Sequence, residues 1–360
     1  MRALLERLLA TPGLSGHEDR IRRVIAGELE ALGLAHQTDT LGNLWTTFAG
    51  DGPSVMLFTH MDQLGFVVRK VEPDGFLRLT RLGGVPERAL ASQEVVVSTA
   101  GGDIPGIIAN KSHHATAPGE KYEVVRVGDL YVDCGFDSAE EAGEAGVRIG
   151  TPVVYASGCK ALGPNRVTAP ALDDRAGCAV LIEVAQALAN RTGGPTVHLA
   201  FTTQEEFNLR GALPLAERLN PDMAIQIDLM LATDTPDMAD LGEMRLGGGP
   251  GMSLYSFHGR GTLNGVIPHP AMVRLVEATA EAEGIPLQRS AQTGVLTDLS
   301  YVQLVGGGVA AIDLGFPLRY SHASREVVDL RDLEALRDLL VAALNRIEPD
   351  FDLSRDGDGA

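Results

Sequence analysis

Val55-Met56-Leu57-Phe58-Thr59-His60-Met61-Asp62 decides the fold. Four consecutive apolar residues without polar alternation read as a strand covered on both faces. That is the pattern of a parallel or mixed sheet flanked by helices, not of a sheet with one wet face. The run then stops on His60 and Asp62. In α/β sheets ligands collect beyond the carboxyl ends of strands. One stretch therefore sets two expectations: an α/β fold, and a polar site at its strand ends.

Working outward, Met1–Gly13 (MRALLERLLATPG) reads as an amphipathic helix, because Glu6 and Arg7 interrupt the leucines that a signal peptide would keep unbroken. Ser15-Gly16-His17-Glu18 has the form of a capping box opening a helix with Ile21, Val24, Ile25 and Leu29 on one stripe. From about Arg69 to Gly163 the texture changes. Short runs at Gln93–Val97, Ile104–Ile108 and Leu130–Val132 sit between Gly, Pro and Asp turns, with one helical stretch at Asp137–Gly146. Short strands with frequent turn signals predict a small β-barrel. Residues 69–163 are thus read as an inserted domain, with 1–68 and 164–360 forming the α/β domain. The second part predicts helices at Arg175–Ala189 and Ala271–Glu283 and strands at Val197–Thr203, Met223–Ile227 and Val309–Leu314. A final helix carries Leu333, Leu336, Leu340, Leu344 and Ile347, and the acidic tail Asp350–Ala360 reads as loose.

Composition narrows the function. At 360 residues and 44% hydrophobic content the chain can bury a large core, which excludes a disordered protein. Lys+Arg of 30 against Asp+Glu of 48 gives a net charge of −18, which repels phosphate backbones and argues against nucleic acid as a partner. No apolar run approaches the roughly 18–20 residues that span a bilayer, so no membrane partner is expected. Three cysteines without a CxxC pair predict reduced thiols in a cytoplasmic protein.

The polar residues after each apolar run are His60 and Asp62, the pair Glu205-Glu206, Asp228 and His322; Asp173-Asp174 opens the helix after the insert. Taken singly, a carboxylate at a strand end is usually a helix cap or a solvated charge, and the remaining histidines, His258 among them, lack such placement. Together, two histidines and several carboxylates at one sheet edge describe a site for two divalent metals. Four positive charges in a low dielectric call for about three anionic ligands, which Asp173, Glu206 and Asp228 provide. Imidazole at His60 and His322 favours zinc, cobalt or manganese over magnesium or calcium.

Thr59-His60-Met61-Asp62, Ala171-Leu172-Asp173-Asp174-Arg175, Gln204-Glu205-Glu206, Ile227-Asp228 and Arg319-Tyr320-Ser321-His322 fall in a family's order. They resemble the cocatalytic metallo-aminopeptidases that form tetrahedral particles, a family including glutamyl and deblocking aminopeptidases. Pro12–Glu18 resembles that family's start. The resemblance implies that Asp173 bridges two ions, that Glu206 and His322 complete one site and that His60 and Asp228 complete the other. It makes Glu205 the general base and Asp62 the partner that orients His60. It further implies a zinc-peptidase-like mixed sheet with an inserted dimerising barrel, a cis Asp173–Asp174 peptide and two ions per subunit, zinc or cobalt before manganese. The implied activity is removal of N-terminal amino acids from short peptides by water activated at the metals. The implied partner is the chain itself, as a homo-oligomer of dimers, six of which would close into a hollow dodecamer. Three departures stand out: Gln63 where Glu is common, Asn208 where Gly is usual, and Gly294-Val295-Leu296-Thr297-Asp298 for a Gly-Gly-Thr-Asp segment.

Competing functions remain open on sequence grounds. A related dinuclear amidohydrolase, a deacylase or dipeptidase, would use the same ligands. A glycoside hydrolase (relatives have carried a cellulase or endoglucanase label) also uses paired carboxylates, but one Trp and 5% aromatic residues make poor sugar platforms. A non-enzymatic, metal-stabilised peptide-binding protein would have no need of Glu205. The lack of a G-x-S-x-G elbow argues against a serine hydrolase.

Overall fold

The computed structural model describes residues 1–259 and 265–356. Its central sheet is mixed. In spatial order the strands are Gln37–Thr38, Leu44–Phe48, Pro195–Thr202, Gly52–His60, Met223–Leu231, Ala310–Leu318 and Gly251–Phe257, and Gly265–Val266 and Gln288–Thr293 both pair with the last. Pro195–Thr202, Gly52–His60, Met223–Leu231 and Ala310–Leu318 run parallel, so their carboxyl ends open on one side.

The uninterrupted apolar run has the physical cause expected of it. Successive strand residues point to opposite faces. Val55 and Leu57 pack on one side in the main core, with Ala176, Val180, Leu336 and Leu340 of the helices Leu172–Leu188 and Leu330–Asn345. Met56 and Phe58 pack on the other, with Leu215 and Leu299 of the helices Ala212–Leu219 and Leu299–Val302. The amino-terminal helix Arg2–Leu9 buries Leu4, Leu5, Leu8 and Leu9 against the main core.

A closed barrel interrupts this layer. Its order is Gly65–Val71, Leu77–Leu82, Tyr131–Asp133, Gly102–Ile108, Glu94–Thr99 and Pro152–Tyr155. Alternate residues, among them Phe66, Val68, Val95 and Val97, fill its interior. The barrel strands begin at Gly65, before Arg69, and end at Tyr155, before Gly163. Lys160–Leu162 pairs instead with Arg166–Ala169, which pairs with Glu326–Asp329 in a separate small sheet. The tail also departs from expectation, because Phe351 and Leu353 are apolar enough to pack against the main core. Residues 357–360 of that tail lie outside the described residues. Among the described residues no helix is long and apolar enough to cross a membrane.

Candidate metal centre

Parallel register brings the strand ends together. His60, the last residue of its strand, stands opposite Thr202, so Glu205 and Glu206 follow on the next turn of chain. Asp228 lies inside Met223–Leu231 rather than after it, opposite Gly315. Asp173 comes from the start of the helix Leu172–Leu188, after Ala171 in the left-handed region, and its peptide to Asp174 is cis.

Asp173 is the centre of the arrangement. Its Oδ1 lies 3.1 Å from His60 Nε2 and its Oδ2 lies 3.3 Å from His322 Nε2. Glu206 Oε1 is 3.8 Å from His322 Nε2. Two clusters hold donor atoms all within 4.8 Å of one another: His60, Asp173 and Asp228, and Asp173, Glu206 and His322. Asp173 belongs to both. His322 is 35% exposed and the other four side chains are buried, so the site opens to solvent on the His322 side.

The electrostatics favour positive charge among these donors. Burial pushes Glu206 and Asp228 up to about 7, helped in each case by repulsion from Asp173. Burial also opposes the charge on Asp173, but contacts from His322 and His60 outweigh it and hold that carboxyl well below the usual range. Glu206 Oε1 is buried without a hydrogen-bond partner. Divalent ions between these donors would offset the repulsion and occupy the orphaned oxygen, and the N/O donor set suits such ions.

The groups around the donors set their orientation. His322 Nδ1 donates to the Gly84 carbonyl of the barrel at 2.9 Å, which turns Nε2 toward Asp173 and would present it to an ion there. A Cβ on Gly84 would stand 2.8 Å from that nitrogen, so glycine permits the approach. His60 Nδ1 lies 3.2 Å from the Asp62 carbonyl and 3.5 Å from its carboxylate. The same carboxylate also accepts the backbone N–H of Glu205 at 3.0 Å and of Glu206 at 3.1 Å, fixing the pair. Glu18 likewise accepts from Gly16 N at 2.7 Å and from Gln204 N at 3.1 Å. The expected capping box is therefore absent. The helix Asp19–Ala31 has no side-chain cap and Ser15 Oγ has no partner, because Glu18 is buried and turned toward the Glu205 segment.

Glu205 is buried, and desolvation pushes its carboxyl well above the ordinary range. It borders a cavity of about 930 Å³ also lined by Leu231, Met238, Leu318, Asp237 and His258. His258 thus lines the same cavity, although nothing in its sequence context signals it.

The departures from the family pattern are accommodated locally. Asn208 takes a positive φ, which Asn tolerates better than most residues. Gln63 Oε1 accepts from Gly13 N and from the buried Arg175 Nη2, each at 3.2 Å. Asp298 is buried and accepts from Thr202 Oγ1 at 3.3 Å. Ala171, Gln204, Tyr320 and His322 all have positive φ, so left-handed backbone flanks the donors on three segments. Glu18, Glu326 and Gly84 contribute to the site without having been expected from the sequence. A charge at the head of the apolar run Glu326–Asp329 was the one available signal for Glu326.

The sequence profile of the family described as M42 glutamyl aminopeptidase matches residues 42–339. SgcX of Escherichia coli (strain K12) is 38% identical over 93% of this chain and 91% of its own. The solved structure of an aminopeptidase from the archaeon Desulfurococcus kamchatkensis superposes with a TM-score of 0.90 at 33% identity, covering 97% of this chain and 95% of that one. TET1 peptidase of Pyrococcus horikoshii, described as assembling into a tetrahedron or a large octahedral shell, superposes with a TM-score of 0.86 at 30% identity, covering 95% of this chain and 98% of its own. The profile match extends unbroken across sheet and barrel and spans both donor clusters, from which we conclude that this chain belongs to the M42 glutamyl aminopeptidase family and is a peptide hydrolase.

Proposed function

We propose that the chain is a metal-dependent aminopeptidase that removes N-terminal amino acids from short peptides. The observation that carries this reading is the pair of three-donor clusters sharing Asp173. Two divalent ions per subunit, zinc or cobalt before manganese, would be held by His60, Asp173 and Asp228 and by Asp173, Glu206 and His322. Such ions supply Lewis-acid pull on a peptide carbonyl and acidify water beside it.

The chain's own residues do the rest. Glu205 belongs to neither cluster, yet borders the cavity; it takes the proton from the attacking water and returns it to the leaving nitrogen. Asp62 keeps Glu205 and Glu206 in fixed relation through their backbone N–H groups. The carboxylates that line the cavity would attract the free α-amine of a peptide, in keeping with cleavage at the N-terminus.

We read the sheet as zinc-peptidase-like and residues 69–163 as the assembly domain of a dimer-based homo-oligomer, up to a hollow dodecamer. The likeness to a shell-forming peptidase supports this. So does apolar surface within that region: Ile107, Tyr122, Val124, Val125 and Ile149 are exposed. A chamber of that kind admits short peptides and spares folded proteins. A cytoplasmic setting completes the reading, supported by three free thiols at Cys134, Cys159 and Cys178.

Assays on aminoacyl-p-nitroanilides, N-acetylated peptides and cellulose, with and without Zn²⁺ or Co²⁺, test it. Only free-amine substrates should be cleaved, and only with metal. Preference for acetylated peptides would favour a deacylase, and sugar release an endoglucanase. Light scattering should give twelve times 38.1 kDa, and a fully active monomer would remove the assembly claim alone.

A further inference from the structure

We infer that Glu326 is a positioning residue for the dinuclear centre, holding the shared ligand Asp173 and the ligand His322 in register through their backbones. The inference rests on the reading that these residues bind metal. Glu326 is 1% exposed. Its Oε2 accepts the backbone N–H of Asp173 at 3.1 Å, and its Oε1 accepts that of His322 at 2.7 Å. One carboxylate thus ties together the two segments whose side chains meet at 3.3 Å.

Both segments need such a tie. Ala171, two residues before Asp173, and His322 itself have positive φ, so neither backbone continues a regular ladder at these points. A buried N–H without a partner is costly. A carboxylate offers two acceptor oxygens in a fixed fork, whereas a carboxamide offers one oxygen and one donor that repels the second N–H. Glu326 is itself anchored. It stands opposite Ala169 in the pairing with Arg166–Ala169, the strand that leads into Asp173. The clamp therefore fixes the shared ligand to the strand that delivers it.

The same kind of clamp occurs elsewhere in the fold and serves as an internal control. Asp332, buried in the helix Leu330–Asn345, accepts from Gly247 N at 2.7 Å and Gly249 N at 2.8 Å, and it touches no candidate ligand.

The test uses the full chain and its Glu326→Gln, Glu326→Asp and Asp332→Asn variants. Affinity for Zn²⁺ is measured by chelator competition, and the Co²⁺-loaded proteins give absorption spectra that report ligand geometry. Partners behind metal ligands typically change affinity by about 10- to 100-fold. Glu326→Gln should bind zinc weaker by that factor, lose the second ion first and show an altered cobalt spectrum. Its kcat should fall with KM nearly unchanged. Glu326→Asp keeps the charge but shortens the reach and should fall between, which also covers the case in which the Gln variant fails to fold. Asp332→Asn should melt earlier yet bind zinc like the parent. A folded Glu326→Gln with parental zinc affinity and cobalt spectrum overturns the inference, as does an equal zinc loss in Asp332→Asn. If the parent binds two ions and cleaves aminoacyl-p-nitroanilides while Glu326→Gln matches it, only the positioning role fails. If the parent binds no ions, the aminopeptidase reading fails with it.

Discussion

The parallel sheet and the closed barrel sit side by side in one chain and contribute to the site in different ways. The sheet contributes side chains. Its parallel strands end on one side, and His60, Glu206 and Asp228 collect there. The barrel has no such end. Closure pairs its strands with one another, its inward positions are filled by Phe66, Val68, Val95 and their neighbours, and it offers the centre a backbone carbonyl at Gly84. An open parallel layer thus accumulates function at its rim, whereas a small closed barrel fills its interior with packing and acts through its loops.

The sharpest break of this comparison is at the sheet rim. Glu205→Gln should keep its metals and lose turnover by about 10²- to 10⁴-fold, the usual size of a general-base contribution. Glu206→Gln should instead lose metal, read by elemental analysis after dialysis. Reversed behaviour would exchange their roles. On the barrel side, Gly84→Ala crowds His322 Nδ1 and should weaken metal binding by roughly 10-fold, at the low end for partners behind ligands, without unfolding the barrel. Unchanged zinc affinity would show that the barrel does not act on the centre through this contact.

pH sharpens the comparison further. His60 and His322 are raised well above their ordinary value: burial would lower both, but Asp173 and the carboxylates around them prevail. Glu206 and Asp228 are raised to about 7. A group whose folded pKa lies above its unfolded value stabilises fully below the unfolded value, and that contribution is lost as pH rises through the folded one. All four act in the same direction, whereas Asp173 titrates far below this window. The melting temperature of metal-stripped protein should therefore fall as pH rises from the ordinary carboxylate range through about 7 and, for the histidines, beyond it, and zinc should abolish the fall. A flat profile would mean these groups are not held as described. The smallest effect belongs to the bridge between the two regions. Arg20 Nη1 and Nη2 meet Asp103 Oδ1 and Oδ2 at 2.5 and 3.0 Å, but both side chains are substantially exposed. Arg20→Ala should cost no more than about 1 kcal/mol at neutral pH. Arg20 holds Asp103 below its ordinary value, so the cost should shrink as pH falls through that depressed value.

What was legible in the sequence follows from local rules. Val55–Phe58 announces a doubly covered strand because burial on both faces leaves no polar positions, and the structure packs its alternate residues into two separate cores. Candidate ligands were legible because strand ends are marked by an abrupt change from apolar to polar. The barrel was legible as texture but not in extent. Gly65–Val71 and Leu77–Leu82 carry too many charges on their outer face to stand out, and Lys160–Leu162 finds its partner in another sheet.

Sequence alone therefore determined the class of fold, the order of its parts and the residue types that meet at the rim, since hydrophobic patterning and strand termini are properties of contiguous residues. Tertiary structure alone decided which distant group satisfies which backbone donor: Asp62 for Glu205 and Glu206, Glu18 for Gln204, Glu326 for Asp173 and His322, and Gly84 as the acceptor for His322. A backbone N–H or carbonyl is the same in every residue and leaves no trace in the sequence. Its partner is chosen only when folding removes water from both.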